Sequence, residues 1–193
     1  MVTKDIKNTI IYLVGHAGTG KYTIAKELCK QMDAKLIDNH YINNPVFNLL
    51  EIEHGKELPE QIWDYTDRIR TVVYETMVDL SPADYNFIFT NVLYEDNPRH
   101  HKAFFYLQDT AQKRDACFVP VYLGISKEAL IERRTAKGRA ERLKDTSEEN
   151  ARREYEERDV LDFEHPNRVD VDVSEIPAAE TAAKILQHIK ENC

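Results

Sequence analysis

Apolar and polar positions follow two rhythms along this chain. Thr9 to Val14 (TIIYLV) is an unbroken β-branched and aromatic run, the pattern of a strand buried on both faces and hence of a parallel sheet. After Lys21 the rhythm changes, with Ile24, Ala25, Leu28, Cys29 and Met32 at helical spacing. The same succession recurs. AKLID (Ala34 to Asp38), NFIFTN (Asn86 to Asn91) and CFVPVYL (Cys117 to Leu123) read as short strands, each followed by a longer mixed stretch, and RVDVDVS (Arg168 to Ser174) alternates as a strand nearer an edge would. Ala182, Ile185, Leu186 and Ile189 mark a final helix. Five strands separated by helix-length connections predict an α/β three-layer fold with a five-stranded, mainly parallel sheet. Pro120 fits least well, because proline removes a ladder donor and suits a strand start or edge.

Two segments depart from the bare alternation. His40 to Leu80 is long and mostly helical in pattern, with Trp63, Ile69, Val72, Val73 and Met77 as its expected apolar face. Arg133 to Asp145 is short, basic and contains Gly138, so it reads as an exposed insertion. Thr146, with Glu149 three residues on, has the form of a capping box that would start another helix. With 193 residues and no repeat, low-complexity tract or linker, residues 1–193 are expected to form a single unit.

Composition narrows the partners. A formal charge of -8 disfavours nucleic acid and anionic lipid, and no apolar run approaches the ~18 residues a membrane span needs. The apolar run near the N-terminus is too short for a signal segment and lacks a small-residue cleavage pattern. Cys29, Cys117 and Cys193 are odd in number and widely spaced, so reduced thiols and a cytoplasmic location are expected.

Glycine adds a sharper signal. The chain has only six, yet Gly15, Gly18 and Gly20 fall in one loop between the first strand and the first helix. The string Gly15-His16-Ala17-Gly18-Thr19-Gly20-Lys21-Tyr22-Thr23 has the GxxxxGK spacing of a P-loop. There, backbone N–H groups turn inward around an anion, the helix adds its positive dipole end, and the lysine meets the outer phosphates. A plain strand-to-helix turn would need glycine for its dihedrals but would not need Lys21. The strict motif has Ser or Thr where this chain has Tyr22; Thr23 stands one position later.

This GxxGxGKxT form, an Asp closing the second strand and a late arginine-rich stretch together resemble the P-loop small-molecule kinases, the grouping of adenylate, shikimate, gluconate and antibiotic kinases. The resemblance covers most of the chain, with the P-loop its sharpest part. It implies ATP and Mg2+, with the loop residues holding phosphates, Thr23 meeting phosphate oxygens and the metal held largely through water. It assigns the acceptor hydroxyl or a metal-bound water to Asp38, which ends a strand where sheet crevices lie. An Asp after a strand also commonly caps the next helix. His40 stands two residues further on, as a weaker candidate for the same pocket. The third strand ends in Thr90-Asn91 rather than Asp, which disfavours a water-activating hydrolase; Glu95 and Asp96 follow and could recover a metal role.

The resemblance makes residues 133–145 a lid. Lys127 to Lys144 carries seven basic residues against three acidic ones, a positive island in an acidic chain. Such a segment could exclude water and bring guanidinium charge to a transferring phosphoryl group. Arg139 and Arg142, flanking Gly138, are the preferred pair, while Arg152 and Arg153 have helix partners in Glu148 and Glu149. Residues 40–80 occupy the acceptor-binding position. Their three basic residues (Lys56, Arg68, Arg70) against eight acidic ones favour an uncharged or cationic acceptor, although Arg68, Arg70 and Arg99 could converge on an anion. Glu175-Ile176-Pro177-Ala178 lies where related kinases let backbone meet adenine.

The expected function is therefore transfer of the ATP γ-phosphoryl group to a small-molecule hydroxyl, with Lys21, Asp38, Arg139 and Arg142 catalytic. The alternatives are a nucleoside monophosphate kinase and an ATP-binding module without catalysis. Oligomeric state has no sequence signature here.

Overall fold

The computed structural model describes residues 5–50, 58–135 and 147–193. Elements follow in the order β1 (Thr9–Val14), α1 (Lys21–Gln31), β2 (Ala34–Asp38), α2 (Asn39–Phe47), α3 (Glu60–Asp79), β3 (Asn86–Asn91), α4 (Pro98–Lys113), β4 (Cys117–Gly124), α5 (Lys127–Thr135), α6 (Glu148–Glu157), β5 (Val169–Asp172) and α7 (Ala178–Asn192). The five strands form one sheet in the order β2-β3-β1-β4-β5, and every neighbouring pair is parallel.

Burial on both faces explains the continuous apolar runs. Ile11 and Leu13 of β1 pack on one side with Ile24 and Leu28 of α1 and Ile185 and Ile189 of α7. Ile10, Tyr12 and Val14 point the other way, against Tyr74 and Met77 of α3 and Phe104 and Leu107 of α4. The three layers are thus written in alternate residues of single strands. Pro120 is accommodated inside β4, opposite Tyr12 of β1, because the β5 ladder begins only at Val121. At that position the strand has a ladder on one side alone, so the missing donor costs little.

Three expectations need correction. Of the expected apolar face of α3, Met77 and the half-buried Val73 do pack on the sheet side, together with Tyr74, while Trp63 lines the cleft. Val72 is 62% exposed, and with Ile69, Tyr65, Leu49 and Leu50 it lines an outward groove instead. The helix carries two apolar stripes, and only one meets the sheet. The cap of α6 is Ser147, whose hydroxyl accepts from the Asn150 N–H at 3.2 Å, so the cap falls one residue after Thr146. Cys117 and Cys193 are joined in a disulfide, their Cα atoms 5.9 Å apart. Helix α7 brings the C-terminal residue to the start of β4, a meeting that a 76-residue separation conceals. Only Cys29 is a free thiol among the described residues, so the inference of compartment from reduced thiols loses two of its three residues. No helix among the described residues is long and apolar enough to cross a membrane.

Candidate active site

β1 is the central strand and opens at its carboxyl end into the glycine loop. Two close fits set the loop's composition. A Cβ at Gly15 would lie 2.8 Å from the Leu123 carbonyl oxygen, so the loop leaves the sheet pressed against the end of β4. Gly18 has φ +115° and its Cβ would meet the Arg134 side chain at 3.0 Å, which closes the position to other residues on both counts. Gly20, also left-handed, is the N-cap of α1. Thr19 is fully buried and locks the loop inward, its hydroxyl donating to the His16 carbonyl at 3.0 Å. Lys21 Nζ donates to the Gly15 and His16 carbonyls, each at 2.7 Å, and so lies along the nest it would share with an anion.

The loop forms the middle of a cleft of about 1530 Å³ that collects residues from both sides of β1. Ala17, Gly18, Thr19, Gly20, Lys21, Tyr22 and Thr23 all line it, as does Asp38. Gly15 and His16 lie behind, supplying the carbonyls that hold Lys21. The His16 imidazole is half-buried between the rings of Tyr94 and Tyr155, with centroids 5.8 and 5.2 Å away. Burial holds its pKa below the usual histidine range; the Glu154 carboxylate opposes this and the Lys21 ammonium adds to it.

Asp38 caps α2 and also lines the cleft. It is 6% exposed; Oδ1 accepts from the His40 N–H at 2.9 Å, capping α2, and Oδ2 accepts from the Thr90 hydroxyl at 2.9 Å. The carboxylate is thereby fixed at the carboxyl ends of the paired strands β2 and β3, where the cleft lies. His40 and Asn91 line the cleft too. Asn91 is oriented by donating to the Tyr12 hydroxyl at 3.1 Å. Glu95 and Asp96 are engaged elsewhere, Glu95 accepting from the Asp162 N–H and Asp96 pairing with Arg158 at 2.7 Å.

Of the three arginines considered for an anion site, two come together and the third does not. Arg70 and Arg99 line the cleft, whereas Arg68 lines the outward groove beside Tyr65. Arg99 donates to Glu60, Asp64 and Asp67, and the first two carboxylates push its pKa up. Arg70 donates to the other oxygen of Asp67 at 2.6 Å.

Arg139 and Arg142 lie outside the described residues. The stems of the segment do not. Arg133 reaches the Val173 and Ser174 carbonyls at 2.5 and 3.2 Å, next to the cleft-lining Ile176, Pro177 and Ala178. Arg134, 2% exposed, runs beneath Gly18 and pairs with Glu154 of α6 at 2.8 Å. The other Glu154 oxygen accepts from the Tyr94 hydroxyl. This buried group joins α5, α6 and the loop after β3 under the glycine nest. No local pattern announces it, because its members are 20 and 60 residues apart. Arg152 pairs with Glu148 as expected, while Arg153 turns to Asn150 rather than Glu149. The metal-holding candidates are Thr23, exposed on the first turn of α1, and Asp38.

No family model matches this sequence, and no curated protein sequence does. Solved structures match closely in shape. A gluconokinase from Sinorhizobium meliloti 1021 is 16% identical with a TM-score of 0.64, covering 96% of this chain and 93% of that one. A thymidylate kinase from Candida albicans is 17% identical with a TM-score of 0.63, covering 96% and 92%. A shikimate kinase from Aquifex aeolicus is 19% identical with a TM-score of 0.54, covering 95% and 98%. At such identities the likeness is one of architecture, and the chain has the fold of the P-loop small-molecule kinases.

Proposed function

We propose that this protein is an ATP-dependent, Mg2+-assisted phosphotransferase that moves the γ-phosphoryl group to a hydroxyl of a small molecule. The observation that carries the reading is one cleft holding both halves of the chemistry. A glycine nest with Lys21 at a helix N-terminus lies at its centre, and a fixed carboxylate, Asp38, lies at its wall.

In this reading the loop amides and Lys21 hold the β- and γ-phosphates, and Lys21 exchanges its two carbonyl partners for phosphate oxygens. Ile176 to Ala178 and Arg133 border the adenine end. Thr23 and Asp38 suit an ion that keeps part of its water shell and takes oxygen ligands. When bound, Mg2+ would neutralise charge on the transferring phosphates. Each Asp38 oxygen accepts one hydrogen bond in the structure, and a carboxylate oxygen has room for about two. The spare site can accept from the substrate hydroxyl and orient it. The acceptor oxygen then forms its bond to phosphorus as the bond to the bridging oxygen of ADP breaks, and the hydroxyl proton passes to Asp38. Because the transition state is loose, orientation counts for more than prior deprotonation. Arg139 and Arg142 are proposed to close from the lid.

The test is ADP release over a panel of hydroxyl acceptors. Lys21→Ala should abolish acceptor-dependent turnover, and Asp38→Asn should lower kcat by roughly 10²–10⁴. Turnover unchanged by Lys21→Ala would defeat the assignment. Tight ATP binding with no acceptor-stimulated ADP would favour a binding module instead.

A further inference from the structure

We propose that the acceptor carries no carboxylate or phosphate of its own: it is a neutral or cationic hydroxyl compound, and Arg70 and Arg99 shape its pocket without binding an anion. This rests on the phosphotransferase reading and names its substrate class.

Convergent guanidinium groups ordinarily mark an anion site. Here the charge is already answered. Arg99 directs Nε and Nη2 to Glu60 at 3.1 and 2.7 Å, Nη2 also to Asp64 at 2.9 Å, and Nη1 to Asp67 at 3.1 Å. Arg70 directs Nη1 to Asp67 at 2.6 Å and Nη2 to Asn39 at 3.4 Å. Asp67 thus ties the two arginines together. With Asp38 added, three cleft-lining carboxylates, Asp38, Glu60 and Asp67, with Asp64 paired to Arg99 beside them, stand against the Arg70 and Arg99 guanidinium groups among the described residues. An incoming anion would have to displace a carboxylate that is already in place, and would meet the others as like charges.

What the pocket offers instead is acceptors for donors. Asn43 of α2 lines the cleft and is 8% exposed, yet its Oδ1 has no hydrogen-bond partner among the described residues. Buried polar atoms of this kind are normally satisfied, so Asn43 calls for a donor. Hydroxyl and ammonium groups supply one; a carboxylate or a phosphate dianion does not. Trp63, lining the same half, adds a ring face suited to an uncharged body or a cation.

Trp63 is the chain's single tryptophan, which makes its fluorescence a reporter of this half of the cleft. The full-length protein, saturated with a nonhydrolysable ATP analogue and Mg2+, is titrated with inorganic sulfate. Asp67→Asn, which takes a carboxylate from both arginines, should bind sulfate at least about tenfold more tightly than the wild type. Glu60→Gln, which relieves Arg99 alone, should move the same way and covers the case of a poorly folded Asp67 variant. Sulfate binding equally tight in wild type and in both variants would overturn the inference. A kinetic arm compares hydroxyl acceptors that differ by one anionic group: glucose against glucuronate, and glycerol against glycerate. A higher kcat/KM for the non-anionic member is expected. Preference for the anionic member would overturn the inference and leave the phosphotransferase reading standing. ADP release with none of them would count against that reading, with the sulfate titration still deciding the charge of the pocket.

Discussion

Gly18 and Arg134 show how tightly single residues are constrained around the glycine loop. A methyl group at position 18 would be placed at φ +115° and 3.0 Å from the Arg134 Cγ. Gly18→Ala should therefore cost about 1–3 kcal/mol of stability, from dihedral strain and crowding together. Urea unfolding measures it, and an unchanged midpoint would refute the geometry. Removing the charge beneath the loop is more serious. Arg134 is 2% exposed and its partner Glu154 26%. Losing one member of a buried pair costs about 3–5 kcal/mol, and the partial exposure of Glu154 lowers the expectation for Arg134→Met to about 2–4. The same denaturant series checks it. His100 contributes to acid sensitivity. Burial lowers its pKa to about 4, with the Arg158 guanidinium adding to the effect, while its Nδ1 accepts from the Tyr94 N–H at 2.8 Å. The unfolded chain then binds a proton near the ordinary histidine pKa of ~6.5 that the folded chain refuses, so stability falls as pH drops from ~6.5 towards 4. His100→Asn, which retains an acceptor, should flatten that part of a stability-versus-pH curve.

Among the elements, the strands were the most legible and the helix faces the least. TIIYLV and NFIFTN correspond residue for residue to β1 and β3, because a strand covered on both faces leaves an uninterrupted apolar run. The strand-loop-helix context of the glycine cluster was equally plain, since all of it is contiguous. Helix α3 was harder: Ile69 and Val72 are as apolar as Tyr74 and Met77, and only tertiary contact decides which stripe meets the sheet. Pairings between distant elements left no trace at all. Tyr94, Arg134 and Glu154 meet only in the folded chain, as do Cys117 and Cys193. That disulfide ties the end of α7 to the start of β4 across 76 residues. Loop-closure entropy sets its contribution at up to about 4 kcal/mol. Reductant should lower the melting temperature of the wild type and leave Cys193→Ser unmoved; equal melting of the wild type with and without reductant would show that the bond does not form in solution.

For the molecule as a whole, charge is divided across one cleft. The half around the glycine loop holds Lys21, Arg133 and Arg134, and the half around Asp38 holds Glu60 and Asp67 with Arg70 and Arg99 bound among them. A net charge of -8 does not prevent a triphosphate from binding when cations are gathered where the sheet opens. The central claim is that the glycine loop is a nest for a triphosphate. Isothermal titration calorimetry with ATP and Mg2+ tests it most directly. The account predicts one saturable site per chain in the wild type, weakened at least about tenfold by Lys21→Ala, a loss of roughly 1.4 kcal/mol or more. No heat of binding in the wild type, or the same affinity in the variant, would contradict it.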